Sequence, residues 1–181
     1  NASHIRIIGG QWRGRRLPVA EAPGLRPTPD RVRETLFNWL QVQTPGAKVL
    51  DAFAGTGALG LEAASRGAAH VWLLEKQPQA VASLKQAVST LGCAATVVQC
   101  DALTWLARAE TEPFDLVFLD PPYGKALGQK ALAAAVKGGW LAQDSLVVWE
   151  ENSPMQAPDG FSLHDSRKYG DTHVTLLWHE S

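Results

Sequence analysis

The sequence predicts an α/β fold in which helices cover both faces of a mostly parallel, seven-stranded sheet. From residue 47 onward, short apolar runs rich in Val and Leu alternate with amphipathic helical stretches, a pattern typical of parallel strands buried on both faces. The last two apolar runs are separated only by Gly170 and Asp171, which predicts a closing antiparallel hairpin. An apolar pattern at the N-terminus, broken by Gly9 and Gly10, predicts a small additional hairpin.

The N-terminal hairpin covers about the first seventeen residues and carries alternating arginines after the two glycines. Residues 18–27 contain three prolines and a glycine, which is typical of a linker. A helix should follow, because Thr28 can cap it, Pro29 suits its first position, and apolar residues recur at helical spacing up to Leu40. We therefore expect an N-terminal extension over residues 1–27 and one main domain over residues 28–181.

After this helix, the main domain contains five strand candidates, four further helix candidates and a final pair of strands. The strands are expected at residues 48–53, 70–75, 95–100, 115–120 and 145–150, and the final pair at 161–169 and 172–179. The helices are expected at residues 59–66, 78–91, 103–108 and 126–137.

Composition describes one ordinary globular domain of 181 residues, 45% of them hydrophobic. Two cysteines, Cys93 and Cys100, cannot build a disulfide scaffold and argue against a zinc site, so we expect two buried thiols and no metal. No run approaches the roughly 20 apolar residues of a membrane span. We expect a cytoplasmic monomer without a membrane partner.

The net charge of −1 hides an asymmetry between the two ends of the chain. The first 33 residues hold seven arginines against two acids, and the remainder holds ten basic and sixteen acidic residues. The arginines are Arg6, Arg13, Arg15, Arg16, Arg26, Arg31 and Arg33. Arginine presents a planar fork that suits phosphate oxygens, so the segment fits either a nucleic-acid surface or a solvated surface.

A glycine-rich loop follows the first strand of the main domain. Gly55, Gly57 and Gly60 match G-x-G-x-x-G, and Glu75 ends the next strand at the position of a ribose-binding acid, a combination that indicates NAD. Asp51 opposes this interpretation, because a carboxylate at the strand end would repel a pyrophosphate. It suits a cationic ligand without phosphate, such as S-adenosyl-L-methionine.

Under this interpretation Asp51 faces the cationic end of S-adenosyl-L-methionine, Glu75 holds the ribose and Asp101 accepts the adenine amine. Acids at the ends of three successive parallel strands point into one crevice, which supports the interpretation. The simpler alternatives are that the glycines only allow tight packing and that Asp101 only caps a helix.

The segment Asp120-Pro121-Pro122-Tyr123 ends a further apolar strand. Two prolines remove two backbone donors, so the loop presents acceptors: the Asp120 carboxylate and the Pro121 carbonyl. These can accept both hydrogens of a nucleobase amine, and Tyr123 offers a flat face on which the base can stack. The chemistry would then consist of orienting the amine and stabilising charge on its nitrogen. A simple strand-ending turn is the alternative.

These motifs carry a resemblance to a known family. The segments VLDAFAGTGALGLEAASRGA, LLEK, QCDA and DPPY resemble class I S-adenosylmethionine-dependent methyltransferases with a Rossmann-like fold that act on exocyclic amines. The segments IRIIGGQWRGRRLPV, LRPTPDRVRETLFNWL and RKYGDT are similar to the bacterial small-subunit ribosomal RNA (guanine-N2)-methyltransferase D family. The likeness covers nearly the whole chain.

The resemblance implies methyl transfer to N2 of one guanine, guanine 966 in the family, in 16S ribosomal RNA, within an assembling 30S particle. The implied amine-binding residues are Asp120, Pro121, Pro122 and Tyr123. The implied cofactor-binding residues are Thr28, Arg31, Asp51, Phe53, Ala54, Gly55, Gly57, Glu75, Lys76, Asp101 and Ala102. The implied RNA-binding residues are Arg6, Arg13, Arg15 and Arg16.

Three other functions remain to be weighed. A methyltransferase acting on adenine N6 or cytosine N4 of DNA or of another RNA would use the same clamp, but it normally needs additional sequence to recognise its site. An NAD(P)-dependent oxidoreductase is disfavoured by Asp51. A catalytically inactive RNA-binding module does not explain the intact Asp120 motif.

Overall fold

The computed structural model describes residues 3–19, 28–108, 112–122 and 126–180. The strands are β1 (Ser3–Arg6), β2 (Arg16–Val19), β3 (Lys48–Asp51), β4 (His70–Glu75), β5 (Ala95–Gln99), β6 (Phe114–Leu119), β7 (Leu141–Glu151), β8 (Phe161–Tyr169) and β9 (Thr172–His179). The helices are α1 (Asp30–Trp39), α2 (Ala58–Ser65), α3 (Pro78–Leu91), α4 (Ala102–Leu106) and α5 (Leu127–Lys137).

Seven strands form one sheet in the order β5-β4-β3-β6-β7-β9-β8, which confirms the predicted fold class. The pairs among β5, β4, β3, β6 and β7 are parallel, and β9 runs antiparallel to both of its neighbours. The carboxyl ends of β3, β4, β5 and β6 therefore lie along one edge of the sheet. In open sheets of this type, ligands bind at that edge.

Each face of the sheet has its own hydrophobic core. Apolar side chains of α1, α2, α3 and the N-terminal hairpin cover one face, around Val49, Leu73 and Phe118. Those of α4 and α5 cover the other, around Leu50, Val117 and Trp149. Successive residues of each strand point alternately into the two cores, as expected for a sheet with helices on both faces.

The predicted N-terminal hairpin is present as an antiparallel pair in which Ile5 faces Leu17 and Arg6 faces Arg16. Alternation buries Ile5 and Leu17 and leaves Arg6 and Arg16 exposed. Strand β2 continues through position 18, where a linker was predicted. A proline is tolerated there because it lies on an edge strand.

Several element boundaries differ from those predicted. Helix α1 begins at Asp30 with Pro29 at the N-cap, and no side chain caps it, so the predicted Thr28 cap is wrong. Strand β7 begins at Leu141 rather than residue 145. Its first residues escape the pattern because the pairing with β6 is irregular there and Asp144 has a positive φ of 64°. Among the described residues, no helix is long and apolar enough to cross a membrane.

Candidate active site

A cavity opens at the carboxyl edge of the sheet, between the loops that follow β3, β4, β5 and β6. Three acids from three strand ends, Asp51, Glu75 and Asp101, lie in its wall together with Asp120. Sequence spacing had placed these four carboxylates at strand ends, and the parallel topology brings them together. The cavity is therefore strongly acidic.

Asp51 is the deepest of these acids. Its residue is 1% exposed, and its Oδ2 accepts a hydrogen bond of 3.1 Å from the Gly60 amide in the first turn of α2. Its Oδ1 accepts no hydrogen bond from the part of the chain that the structure describes. A buried carboxylate oxygen without a partner is costly, so a cationic or hydrogen-bonding ligand would stabilise it.

Burial, and to a smaller extent the nearby charges of Asp120 and then Glu75, together raise the pKa of Asp51 from 3.8 to about 8. The Gly60 amide opposes these effects. At pH 7 this raised pKa favours the protonated form of Asp51. A cation in the cavity would favour the ionised form, since an opposite charge lowers the pKa of a carboxyl.

Two glycines shape the start of α2, one at its N-cap and one in its first turn. Gly57 stands at the N-cap of α2 with φ of 84°, in the left-handed region that glycine adopts without strain. Gly60 lies against β3 and β4: a Cβ there would come within 2.3 Å of Leu73 Cδ2 and 3.1 Å of Asp51 Oδ2. The third glycine therefore allows α2 to approach the sheet closely enough to contact Asp51.

Glu75 connects two loops of the cavity. Its Oε1 accepts from the Gly55 amide at 3.0 Å, and its Oε2 accepts from the Gln77 amide at 2.9 Å. Each carboxylate oxygen has a further lone pair that can accept from a hydroxyl. Asp101 caps α4 by accepting from the Leu103 amide at 2.9 Å, so the capping alternative is correct as far as it goes. Asp101 nevertheless also lines the cavity.

Asp120 follows β6, on the same sheet face as Asp51. Asp51 is paired with Phe118, so Asp120 lies two residues farther along, or about 7 Å in the strand direction. Pro121 is buried and Pro122 is exposed, and both line the cavity beside Asp120. The predicted amine clamp and the predicted cofactor loop thus share one cavity. Tyr123 lies outside the described residues.

Most predicted site residues lie in the cavity wall. They are Thr28, Asp51, Phe53, Ala54, Gly55, Glu75, Lys76, Asp101, Ala102, Asp120, Pro121 and Pro122. Arg31 is exposed on α1 and Gly57 shapes the backbone, and neither lies in the wall. Their roles in binding stay predictions.

Sequence reasoning missed other lining residues, among them Gln77, Cys100 and Leu127. Gln77 and Cys100 lie one or two residues beyond strand ends, so a wider window around each strand end would have included them. Cys93 and Cys100 are both free and half-buried, which corrects the expectation of two buried thiols. Leu127 has no comparable sequence signal, because it reaches the cavity only through the packing of α5.

The predicted RNA-binding arginines lie on and around the hairpin. Arg6 and Arg16 face each other across β1 and β2, and Arg13 and Arg15 lie in the exposed connection between the strands. Like charges directly opposite each other are destabilising without a counter-charge. Arg6 has one in Asp30, at 3.2 Å.

The sheet order with its single reversed strand β9, and the cavity at the carboxyl edge, define the class: this is the Rossmann-like fold of methyltransferases. The family model described as "Conserved hypothetical protein 95" matches residues 5–178. The chain is 45% identical to ribosomal RNA small subunit methyltransferase D of Escherichia coli strain K12, over 99% of this chain and 92% of the relative.

Two further comparisons agree. The chain is 41% identical to the protein of the same name from Haemophilus influenzae, over 92% of this chain and 89% of the relative. The solved structure of the Escherichia coli protein yhhF is 44% identical, covers 99% of both chains and has a TM-score of 0.91. The chain belongs to the ribosomal RNA small subunit methyltransferase D family.

Proposed function

We propose that this chain is a ribosomal RNA methyltransferase that uses S-adenosyl-L-methionine to methylate the exocyclic N2 amine of one guanine in 16S ribosomal RNA. The observation that carries the proposal is the buried Asp51, whose Oδ1 has no partner among the described residues at the wall of the cavity. A phosphate-bearing dinucleotide would place negative charge beside four carboxylates. A sulfonium ligand would place positive charge there.

The donor set fits S-adenosyl-L-methionine. Asp51 would face its cationic end, Glu75 would accept from its ribose hydroxyls, and Asp101 with the Ala102 backbone would hold its adenine. Thr28, Phe53, Ala54, Gly55 and Lys76 would complete the wall, with Arg31 and Gly57 acting from outside it. When bound, this cofactor supplies a methyl group on a positively charged sulfur, which is a good leaving group.

The residues of the chain supply orientation and a proton acceptor. The Asp120 carboxylate and the Pro121 carbonyl would accept the two hydrogens of the guanine amine, which directs the nitrogen lone pair away from the ring. When the amine nitrogen forms its bond to the methyl carbon, and the carbon–sulfur bond breaks, the nitrogen becomes positively charged and must lose one proton. The Asp120 carboxylate would accept that proton and release it to water. Pro122 and Tyr123 would support the base.

The names of the relatives support ribosomal RNA as the substrate. The guanine must be unpaired or flipped out, because a base within a helix cannot reach a cavity at strand ends. Arg6, Arg13, Arg15 and Arg16 would bind backbone phosphates around it, within an assembling 30S particle. Phosphate contacts position the RNA without reading its sequence.

The experiment that tests the proposal maps the product. Purified protein is incubated with isotope-labelled S-adenosyl-L-methionine and small subunits from cells that lack the gene, and the digested RNA is examined by mass spectrometry. We expect one labelled N2-methylguanosine, at guanine 966. Labelled adenine or cytosine would contradict the guanine assignment.

A calorimetric titration separates the cofactor from its rival. We expect S-adenosyl-L-methionine and its demethylated product to bind and NAD(H) not to bind. Tight binding of NAD(H) alone would overturn the proposed chemistry.

A further inference from the structure

A buried ion pair lies between the N-terminal hairpin and the cavity. The side chains of Arg33 and Glu62 are 1% and 0% exposed, and Arg33 Nη1 lies 3.2 Å from Glu62 Oε1. Sequence pattern places Arg33 within the arginine-rich segment, but this burial removes it from any RNA surface. Taking two charges out of water is costly unless their polar atoms are fully paired, so their partners are informative.

Glu62 holds the turn of the hairpin. Its Oε1 accepts from the Ile8 amide at 2.9 Å, and its Oε2 accepts from the Gly9 amide at 2.9 Å. Arg33 adds a second donor to Oε1, and Arg66 Nε adds a second to Oε2 at 2.8 Å. Four donors on one buried carboxylate fix the connection between β1 and β2 onto α2.

The guanidinium of Arg33 also donates hydrogen bonds to three further residues. Nη1 donates to the Arg6 carbonyl at 2.8 Å, and Nη2 donates to Asp30 Oδ1 at 2.7 Å. Nε donates to the Thr28 carbonyl at 3.4 Å. One side chain thus connects the end of β1, the first turn of α1 and the residue Thr28 of the cavity wall.

Helix α2 joins these contacts to the cofactor loop. Ala58 and Leu59, at its N-terminal end, line the cavity, and Glu62 lies three residues beyond Leu59. A helix rises 1.5 Å per residue, so the two sites are separated by about 4.5 Å along one rigid element. Ser65, in the last turn, also accepts from the Trp12 amide at 3.0 Å. The hairpin and the cavity therefore share a single support.

We propose that Arg33 and Glu62 are positioning residues, which fix the arginine-bearing hairpin relative to the cavity so that bound RNA presents its base to Asp120. The proposal rests on the proposed function. Neither residue lies in the cavity wall, and Arg33 reaches it only through the Thr28 carbonyl. Their effect reaches the reaction through the hairpin.

The test compares Arg33→Lys and Glu62→Gln with the unsubstituted protein. Lysine keeps the charge but offers a compact ammonium in place of the planar fork, so it cannot hold the same acceptors. Three quantities are measured: cofactor affinity by calorimetry, kcat and KM with RNA, and hydrogen exchange of the Ile8 and Gly9 amides. The control is Arg66→Lys, which also loses a contact to Glu62 but has no hydrogen bond to Thr28 or Arg6 among the described residues.

We expect faster exchange at Ile8 and Gly9, a change in cofactor affinity far smaller than the change in RNA turnover, and a fall of about ten- to a hundredfold in kcat/KM for RNA, because small misplacements of a bound substrate are costly. The Arg66 control should change kcat/KM far less. Glu62→Gln keeps the shape of the side chain, so it serves the test if the lysine variant does not fold.

Normal kcat/KM in a variant whose hairpin amides exchange faster would overturn the proposal. An equal loss of cofactor affinity and RNA turnover would also overturn it, since that is the result of a merely structural pair. If the unsubstituted protein methylates no RNA, the proposed function fails. RNA affinity, measured by fluorescence anisotropy, then replaces kcat/KM: weaker binding by the variants supports positioning, and unchanged binding overturns it.

Discussion

Among single residues, Asp51 has the most unusual environment in the described part of the chain. Its carboxyl is buried next to two other acids. Because its pKa is about 8, the carboxyl stays protonated at pH 7 in the protein alone. This arrangement is unfavourable for stability and favourable for binding a cation. Functional sites commonly combine these two properties, because groups arranged for a ligand are left unsatisfied without it.

The first prediction concerns the stability of Asp51→Asn. The unfolded chain loses the Asp51 proton near pH 3.8, whereas the folded chain holds it to about pH 8, so the free energy of unfolding falls as pH rises between these values. Asparagine has no such titration. We expect the variant to match the parent near pH 4 and to exceed it by a few kcal/mol at pH 8.

Urea unfolding of both proteins across that pH range measures this difference. The comparison cancels the contributions of the shared titrating groups that do not interact with Asp51. A constant difference between the two proteins from pH 4 to pH 8 would contradict the raised pKa. The same variant should bind S-adenosyl-L-methionine poorly, because its neutral amide does not attract a cation.

The second prediction separates binding from chemistry at Asp120. We expect Asp120→Ala to bind the cofactor nearly as well as the parent, while its kcat falls at least about a hundredfold, because orientation and proton acceptance are both lost. Calorimetry and single-turnover methyl transfer measure the two quantities. Asp101→Ala is the matched control and should show the reverse pattern, with weaker cofactor binding. Full turnover by the Asp120 variant would exclude it from the mechanism.

At the level of elements, the hairpin separates its apolar and basic residues by strand alternation. Ile5 and Leu17 enter the core while Arg6 and Arg16 remain exposed, so one small element both packs on the helices and presents charge. Two arginines directly opposite each other repel, and an anion bound between them would offset that repulsion. The basic surface is therefore a property of the folded hairpin and not of composition alone.

The third prediction concerns that surface. Replacing Arg13, Arg15 and Arg16 by glutamine should weaken RNA binding and flatten its salt dependence, since each lost phosphate contact reduces the slope of log K against log salt by about 0.7 to 0.9. The control replaces Lys85, Lys130 and Lys137 on the exposed surfaces of α3 and α5, which changes the net charge equally. Binding titrations at several salt concentrations measure both. Equal effects of the two triple variants would mean that only net charge matters.

Where the hydrophobic pattern is regular, the sequence predicts the first and last residues of an element correctly. Helix α3 and strands β4, β8 and β9 have the expected bounds. Local pattern failed where a distant partner decides the structure. The start of β7 depends on its irregular pairing with Phe114, and the burial of Arg33 depends on Glu62, which is 29 residues away. Charge by itself does not reveal which arginine is internal.

The acidic wall of the site could also be predicted, because parallel strands bring their carboxyl ends to one edge regardless of side-chain detail. The sequence identified Asp51, Glu75, Asp101 and Asp120 for this reason. It did not identify Leu127, whose position follows from helix packing. It also gave no sign that one guanidinium would connect the hairpin to the cavity wall.

At the level of the whole molecule, charge is divided between two surfaces that meet at α2. The cavity is lined by carboxylates and the hairpin carries exposed arginines. A cationic cofactor would thus be attracted to the acidic cavity, and an anionic RNA to the basic hairpin beside it. This division would allow a chain with a net charge of −1 to bind a polyanion.

The last prediction tests this division through ligand-linked stability. A ligand that binds only the folded state stabilises it by about 2.7 kcal/mol at a hundredfold excess over its Kd. For a chain of 181 residues this raises Tm by roughly 5 to 10 °C. We expect S-adenosyl-L-methionine to produce such a shift and NAD(H) to produce none, because the acidic side chains of the cavity repel a pyrophosphate. The shift should disappear in Asp51→Asn, although that variant starts from a higher Tm at pH 8. A shift with NAD(H), or an undiminished shift in Asp51→Asn, would mean that the charge of the cavity does not select its ligand.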